Sequence, residues 1–495
     1  MRSSLSVAEY APNTPVLVGV AAVQQKIADY REASEPVALM ERALRTAAVD
    51  AGHPALLAMA DEILVPKSLW GYSDPGRLLA QALGACSART LLAELGILQQ
   101  SLLTRACQRI CAGEVRVVLV AGGEARYRAL CAAKLGAEAP ETPQVGVEPD
   151  VTLRPQDEMW SPVESDSGLG MPVGYYAILD SALRYKQGLS VAQHRDQMAT
   201  MYARLSELAA DNPDAWSDEA VSAAHIREHS AANRMLAFPY TKLHNSQWNV
   251  DQAAGLILCS AQVAEDLGIA RHKWVFPRAF TESNFMSVVA SRRDLGASPG
   301  FRIVGQTAMQ MAGVKFSELR LCELYSCFPY AVRVQLQEFG LNPQHNVSVT
   351  GGMAFGGGPL NNFVLQATVR MAQLLRQNPG ETGLVTAVSG LLTKQACALW
   401  SCTPAATGWA CADVTEQVRQ ASEACELVAN YSGEGSVAGY TVLYQGANPW
   451  RVVAVFDLPD GRRTVAYSED AQLLERAMAQ EWCGTTYQLS GGTFQ

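Results

Sequence analysis

CQRICAGEVRVVLVAGG, residues 107–123, consists of an apolar helix end, a break of Gly and polar residues, a buried strand and a Gly turn. The same order recurs in AQLLRQNPGETGLVTAVSG, residues 372–390. A helix that leads into a fully apolar, β-branched strand is typical of a mostly parallel sheet covered by helices. Because this unit occurs twice, we predict a duplicated α/β fold.

The flanking segments extend this pattern. Upstream, buried strands such as VLVGV (16–20) and EILVP (62–66) alternate with helices. From Ala125 to about Tyr240 the sequence changes to polar loops and long helices, which indicates an insertion. After residue 403, alternating strands around an Asp460-Gly461 turn and one late helix predict a small β-rich domain.

The composition limits which partners the protein can bind and where in the cell we expect it. Of the 495 residues, 48% are apolar and 18% charged, and 39 basic against 48 acidic residues give a net charge of -9 with no basic run. This balance argues against nucleic acid and anionic membrane as partners. No apolar segment approaches the roughly 20 residues that span a bilayer, and MRSSLSVAEYAPNTP lacks a signal-peptide core. We expect a cytoplasmic chain without membrane insertion.

Two short motifs do not support the chemistry that they suggest. HIREH (225–229) fits a zinc pattern, but no third ligand in a comparable context follows, and we interpret it as a solvated helix face; no metal site is predicted. GASPG (296–300) fits the nucleophile-elbow pattern, which needs a backbone N–H after the serine. Pro299 has none, so a turn is the better interpretation.

Three segments carry the candidate site. GGMAFGGGP (351–359) has five glycines in nine residues, which favours a backbone that approaches a ligand closely. LCELYSCFPYAV places Tyr325 and Tyr330 at the end of a buried strand, where α/β sheets usually build their sites. In KLHNSQWNVDQAAG, Asn245 and Ser246 lie in a polar loop before a strand, as either a capping device or a contact to substrate amides.

Taken in order, GGEA (122–125), the insertion, HNSQWNVDQAAG, ELYSCF, GGMAFGGGP and GLVTAVSG resemble the thiolase superfamily. The resemblance covers roughly residues 14–405 and is closest to the type 1 thiolase-like proteins related to the sterol-carrier-protein type of thiolase, which carry an additional C-terminal domain. It implies a duplicated αβαβα layered core with an inserted loop domain, a small C-terminal β-rich domain, an acyltransferase ancestry in lipid metabolism, and CoA or acyl-CoA as ligand rather than a permanently bound cofactor.

The resemblance also gives places for the chemical groups of thiolases: a nucleophilic cysteine, an activating histidine, a second cysteine and an oxyanion-hole asparagine. By position, the nucleophilic cysteine falls at about Gly96 and the histidine at Gly358. The second cysteine falls at about Val388 and the asparagine at Tyr325. Cys327 and Cys397 occupy neither cysteine position. We therefore expect no acyl-cysteine intermediate, although such sequences look like acetyl-CoA acetyltransferases.

Two functions follow as expectations. The first is a CoA or acyl-CoA binding protein that keeps the pocket, with Asn245, Ser246, Gly356, Gly357 and Gly358 as the binding residues. The alternative resembles the thiolase-like aldolases, which act on acyl-CoA without covalent catalysis; Tyr325 would then be the catalytic acid/base, with Tyr330 behind it.

The domain prediction follows the same resemblance. Residues 1–124 and 241–268 form the first half, 125–240 the insertion, 269–405 the second half and 406–495 the β-rich domain. Thiolases pair through the edge strand before the nucleophile, here TLLAELGI, and the additional domain could permit or block that pairing. The prediction for the oligomeric state is a monomer or a homodimer.

Overall fold

The computed structural model describes residues 10–495. Residues 1–9, which include most of the stretch without a signal-peptide core, lie outside this range. Within the described range, no helix has both the length and the apolar character needed to cross a membrane.

The first half and the insertion alternate strands and helices as the hydrophobic pattern predicts. The first half begins with β1 (Pro15–Gln24), α1 (Pro36–Ala51), β2 (Glu62–Pro66), α2 (Pro75–Leu83), β3 (Arg89–Ala93), α3 (Gln99–Cys111), β4 (Val117–Ala125) and α4 (Arg126–Lys134). The insertion contains β5 (Val151–Leu153), α5 (Pro162–Asp166), α6 (Pro172–Lys186), α7 (Val191–Ala210), α8 (Ala223–Arg227), β6 (Met235–Ala237) and β7 (Tyr240–Thr241). The chain then returns to the first half in β8 (Asp251–Ser260) and α9 (Ala261–Asp266).

The second half and the C-terminal region follow. The second half contains β9 (Phe276–Ser283), α10 (Pro299–Ala312), β10 (Leu321–Glu323), α11 (Pro329–Glu338), α12 (Gly352–Phe355), α13 (Phe363–Gln377), β11 (Thr382–Ser389) and β12 (Lys394–Ser401). The remaining elements are β13 (Ala410–Asp413), α14 (Thr415–Ala421), β14 (Gly433–Gln445), β15 (Asn448–Asp457), β16 (Arg463–Ser468), α15 (Ala471–Ala479), β17 (Thr486–Ser490) and β18 (Thr493–Phe494).

Four strands of each core sheet share the same topology, which confirms the predicted duplication. The first sheet has the order β1-β8-β4-β2-β3-β5 and the second the order β10-β11-β12-β9-β13. In the first, β8 lies antiparallel between β1 and β4, and β4 is parallel to β2. In the second, β12 lies antiparallel between β9 and β11, and β11 is parallel to β10. Both halves therefore arrange these four strands in the same way.

Five layers result from the packing of helices on these sheets. Helices α1 and α2 cover the outer face of the first sheet, and α10 covers the outer face of the second. Helices α3 and α13 lie between the sheets and contact both. A helix between two sheets must be apolar on more than one side, and α3 accordingly buries residues on several faces, from Gln99 to Ile110. This is the predicted αβαβα core.

The predicted C-terminal β-rich region is present, but its sheet is not built from C-terminal residues alone. Strands β6 and β7 of the insertion join β14, where Leu443 pairs with Ala237. Conversely, β13 follows residue 405 and yet lies beside β9 in the second core sheet. Both exchanges arise because strands that are far apart in the sequence pair with each other, and hydrophobic patterns do not encode such pairing. The domain bounds given above stay a prediction.

A buried arginine fixes the β-rich sheet against the insertion. Arg184 of α6 is 1% exposed; its Nε donates to Glu481 over 2.7 Å and its Nη2 to the Tyr440 hydroxyl over 2.9 Å. A guanidinium removed from water requires such charge-assisted partners. The contact ties the β-rich sheet to α6.

Neither short motif forms the arrangement that its pattern suggests. Helix α8 ends at Arg227, so His225 and His229 of HIREH do not share one helix. In GASPG, Ser298 is the N-cap of α10 and accepts a hydrogen bond from the Phe301 amide over 3.3 Å, while Pro299 occupies the first helical position. The sequence predicted a turn here, and the structure has the start of a helix.

Candidate functional site

Backbone hydrogen bonds bring the three predicted site segments together. The amide and the hydroxyl of Ser246 both donate to the carbonyl oxygen of Cys327, over 3.2 and 3.0 Å. The next amide, of Gln247, donates to Met353 over 2.9 Å, and the Gly358 amide donates back to the carbonyl of Gln247 over 2.9 Å. The loop before β8, the segment after β10 and the glycine-rich loop therefore form one continuous surface.

The two polar side chains of the first segment act locally. Asn245 Nδ2 donates to the carbonyl of Thr241 over 2.6 Å, which closes the short turn before β8. Ser246 is half-buried, and its hydroxyl is used on Cys327. The sequence left two interpretations of Asn245 and Ser246 open, a capping device and a contact to substrate amides. The structure shows the capping contact, from Asn245 to the Thr241 carbonyl.

The glycine-rich loop packs too closely for side chains. The carbonyl of Gly356 accepts hydrogen bonds from the Trp216 amide and from Gln252 Nε2, each over 3.0 Å. Gly357 has φ 101°, and a Cβ on it would lie 2.0 Å from Gln252 Oε1. Only glycine meets both conditions.

Space is also restricted at Gly358 and Gly96. A Cβ at Gly358 would lie 3.0 Å from the Ser246 Cβ and 3.2 Å from the Met353 carbonyl oxygen. Gly96 has φ 97°, and a Cβ there would lie 3.1 Å from Cγ of Pro155, in the loop after β5. A longer side chain at either position would have to displace one of these neighbours.

Tyr325 and Tyr330 have different surroundings. The half-buried ring of Tyr325 packs edge-to-face on Phe363 with 5.9 Å between centroids, and its amide donates to Thr386 Oγ1 over 2.8 Å. Tyr330 is fully buried, and its hydroxyl donates to the carbonyl of Leu295 over 2.9 Å. Burial raises the pKa of both phenols. Tyr330 therefore has a structural partner, whereas Tyr325 borders the site.

The cysteine nearest to the site is not activated. Cys327 is 8% exposed, and burial raises the pKa of its thiol to about 12. Burial also raises the pKa of Cys397, which is fully buried in β12. A reactive cysteine needs a lowered thiol pKa. Neither residue has one.

The turn between β11 and β12 has an unusual backbone. Gly390, Leu391 and Leu392 have φ values of 58°, 51° and 66°, so three successive residues are left-handed. This conformation costs non-glycine residues roughly 1–2 kcal/mol each. Both leucines are buried, and Arg292 Nη2 donates to the Leu391 carbonyl over 2.6 Å. Backbone strain of this kind concentrates at functional sites.

Sequence reasoning missed the residue that follows this turn. Lys394 begins β12 and is 2% exposed, and burial lowers the pKa of its amine. The signal was a lysine at the head of the otherwise mostly apolar strand KQACALWS, since lysine is seldom buried.

The close packing of the loop predicts different costs for two glycine substitutions. Gly357→Ala should lower the free energy of unfolding by about 2–3 kcal/mol, because alanine disfavours this φ and its methyl group would contact Gln252. Gly170→Ala is the matched control, since a Cβ there meets nothing within 4 Å, and should change it by less than about 0.5 kcal/mol. Urea titration measures both; equal midpoints would contradict the described loop.

Comparison with known proteins places this geometry in a fold family. No protein-family profile and no curated protein sequence matches the chain. A monomeric SCP2-thiolase like protein type 1 from Mycobacterium smegmatis matches with a TM-score of 0.81 and 26% identity, over 98% of this chain and 100% of that chain.

Two other solved structures share the core at lower identity. The Ltp2-ChsH2(DUF35) aldolase has a TM-score of 0.59 and 16% identity, over 78% of this chain and 98% of its own. Human mitochondrial 3-ketoacyl-CoA thiolase in complex with CoA has a TM-score of 0.54 and 16% identity, over 79% and 98%. At this identity the likeness concerns the fold. The chain has the thiolase fold, and along almost its whole length it is similar to the SCP2-thiolase-like proteins of type 1.

Proposed function

We propose that this chain binds a CoA thioester at the surface formed by Ser246, Gly358 and Tyr325, and that it forms no acyl-cysteine intermediate. The observation that carries the proposal is steric. Pro155 packs against Gly96 and Ser246 against Gly358, so a cysteine or histidine side chain at either place would have to displace a neighbour. The raised thiol pKa of Cys327 supports the same conclusion.

Structural similarity supports the choice of ligand. Human mitochondrial 3-ketoacyl-CoA thiolase shares the core fold and is described in complex with CoA. In this chain, the segments 245–247 and 356–358 meet through backbone hydrogen bonds, which gives a rigid surface with little side-chain bulk. Such a surface suits an extended, amide-containing chain that hydrogen-bonds to backbone groups.

Binding without acyl transfer is the first expected outcome. Titration calorimetry with acetoacetyl-CoA should give saturable binding near one ligand per chain. A thiol reagent should detect no CoA release above the rate without protein, and no cysteine-containing peptide should gain the mass of an acyl group. A stable acyl adduct on any cysteine would contradict the proposal.

A substitution locates the binding surface in the same titration. Ser246→Phe should weaken binding about tenfold or more, a loss of roughly 1.4 kcal/mol, because its ring would fill the space beside Gly358. Ser87→Phe, at an exposed position, is the matched control and should leave the affinity unchanged.

A second candidate function is non-covalent chemistry on an acyl-CoA, with Tyr325 as acid/base. Within residues 10–495 the only hydrogen bonds of Tyr325 involve its backbone, so its hydroxyl has no protein partner. The similarity to an aldolase of the same fold favours this candidate. A phenol without a partner at the edge of a site can exchange a proton with a ligand.

Tyr325→Phe separates the two functions. If Tyr325 is an acid/base, the variant should lose any turnover of an acyl-CoA by about 10²–10⁴-fold while its ligand affinity stays within about twofold of the wild type. Tyr185→Phe, at an exposed tyrosine, is the control. Turnover that survives in Tyr325→Phe would contradict this role and leave the binding proposal standing.

We propose further that the chain is a monomer. Strand β5 of the insertion pairs in parallel with β3 from Leu91–Val151 to Ala93–Leu153. The edge through which thiolases pair is therefore covered by the chain itself, and the new edge is only three residues long. The similar Mycobacterium smegmatis protein is described as monomeric.

Light scattering coupled to gel filtration tests the oligomeric state. The expected result is the mass of one chain at every concentration over about a hundredfold range, because β5 leaves no free β3 edge for a second copy. A mass of two chains that persists on dilution would contradict the role assigned to β5.

A further inference from the structure

Lys394 follows directly on the left-handed turn between β11 and β12. Its backbone pairs with Ser389. Alternate residues of a strand share one face, and Ala396, two residues further, pairs with Glu282 of β9. The side chains of Lys394 and Glu282 therefore project from the same face of the second sheet, as diagonal neighbours within reach of long side chains.

This face of the sheet is turned toward the start of α3. Ser101 Oγ and Thr104 Oγ1, in the first two turns of α3, donate to Glu282 Oε2 over 3.1 and 3.3 Å. Glu282 is thus oriented by helix donors beside the lysine. The head of α3 directly follows Gly96, the place that the family resemblance gives to the nucleophile.

The inserted loop covers the same region. Pro155 contacts Gly96, and two residues later Asp157 is close enough for its charge to act on the amine of Lys394. The amine therefore lies between the second sheet, the head of α3 and the inserted loop. That is the part of the layered core where both halves and the insertion meet.

The amine has no strong partner, in contrast to other lysines. Lys186 and Lys273 form ion pairs over 2.7 and 2.9 Å, and Lys67 donates to two backbone carbonyls over 3.0 and 3.2 Å. Among residues 10–495, Lys394 makes neither kind of contact. Partial removal of an ammonium from water without such contacts is costly, and burial of the side chain accordingly lowers the pKa of Lys394 although Asp157 and Glu282 oppose the shift.

Burial acts on the neighbouring carboxyl in the opposite direction and raises the pKa of Glu282. At neutral pH the pair therefore has more neutral amine and more protonated carboxyl than free side chains would. A neutral amine is the nucleophilic form of lysine.

We propose that Lys394 is a reactive amine that forms an imine with a ketone or aldehyde group of the ligand. The strained turn positions it, Glu282 moves its protons, and the inserted loop shields it. The assignment of the carbonyl to the acyl chain of a CoA thioester rests on the proposed function above; the reactivity of the amine does not.

The step balances without a further reagent. The nitrogen of Lys394 attacks the carbonyl carbon, a C–N bond forms, and the π electrons move to the oxygen. Glu282 transfers protons from nitrogen to oxygen, and the oxygen leaves with both amine hydrogens as one molecule of water. The product is the imine.

Reductive trapping in the wild-type protein tests this reactivity. The protein is incubated near neutral pH with acetone and sodium cyanoborohydride, and the adduct on each lysine is followed by peptide mass spectrometry. Lys394 should react faster than the exposed Lys315, by about tenfold for each unit by which its pKa is lowered, and faster than Lys67, whose amine donates two hydrogen bonds. Modification of Lys315 by acetone while Lys394 stays unmodified both by acetone and by acetoacetyl-CoA would overturn the proposal.

Acetoacetyl-CoA in place of acetone separates this proposal from the proposed function. Trapping of Lys394 by both compounds, or by acetoacetyl-CoA alone, supports both. Trapping by acetone alone supports the reactive amine and contradicts delivery of the carbonyl by CoA. Trapping by neither compound overturns the reactive amine and leaves the calorimetric result to decide CoA binding.

A pair of variants assigns the adduct. Lys394→Arg keeps a cation but cannot form an imine, and should abolish the trapped acetoacetyl-CoA adduct. Lys67→Arg, at another lysine of lowered pKa, should retain it. Because the trapping is measured in the wild-type chain, the test stands even if Lys394→Arg fails to fold; a trapped adduct that persists in folded Lys394→Arg would contradict the assignment.

Discussion

The side chain of Gln99 joins the two halves of the molecule at the centre of the layered core. Its Oε1 accepts the Val364 amide over 2.8 Å, and its Nε2 donates to Asn361 Oδ1 over 3.3 Å. Asn361 in turn donates to the carbonyl of Lys67 over 2.7 Å. The first amides of a helix have no partner within the helix. Here Gln99, at the start of α3, accepts the hydrogen bond of the Val364 amide at the start of α13. The glycine-rich loop leads directly into α13, so its position depends on this contact.

The space around these helix heads decides which chemistry the fold can support. In the account proposed here, Pro155 fills the space at Gly96, and Ser246 with Met353 fills the space at Gly358. The thiolase fold then keeps a surface for a CoA thioester, whereas the side chains of an acyl-cysteine mechanism would have to displace these neighbours. The polar groups that remain are a phenol, Tyr325, and an amine, Lys394.

The sequence predicted the fold better than the site. The repeated helix-strand unit, the buried strands and the insertion are patterns of neighbouring residues, and all are present in the structure. The three candidate segments could be singled out because glycine density and polar loops are local signals as well, and the structure brings them together; their role in binding stays a prediction. Lys394 was missed because its burial depends on the packing of α3 against the second sheet, and the Pro155–Gly96 contact joins two loops that no periodicity connects. The exchange of β6, β7 and β13 between sheets was missed for the same reason.

The most direct test of the central claim is a crystal structure of the chain with acetoacetyl-CoA bound. The account predicts that the pantetheine chain lies between residues 245–247 and the glycine-rich loop at 356–358, and that no cysteine sulfur is bonded to the acyl carbon. An acyl group covalently attached to Cys327, or CoA bound elsewhere on the molecule, would contradict it.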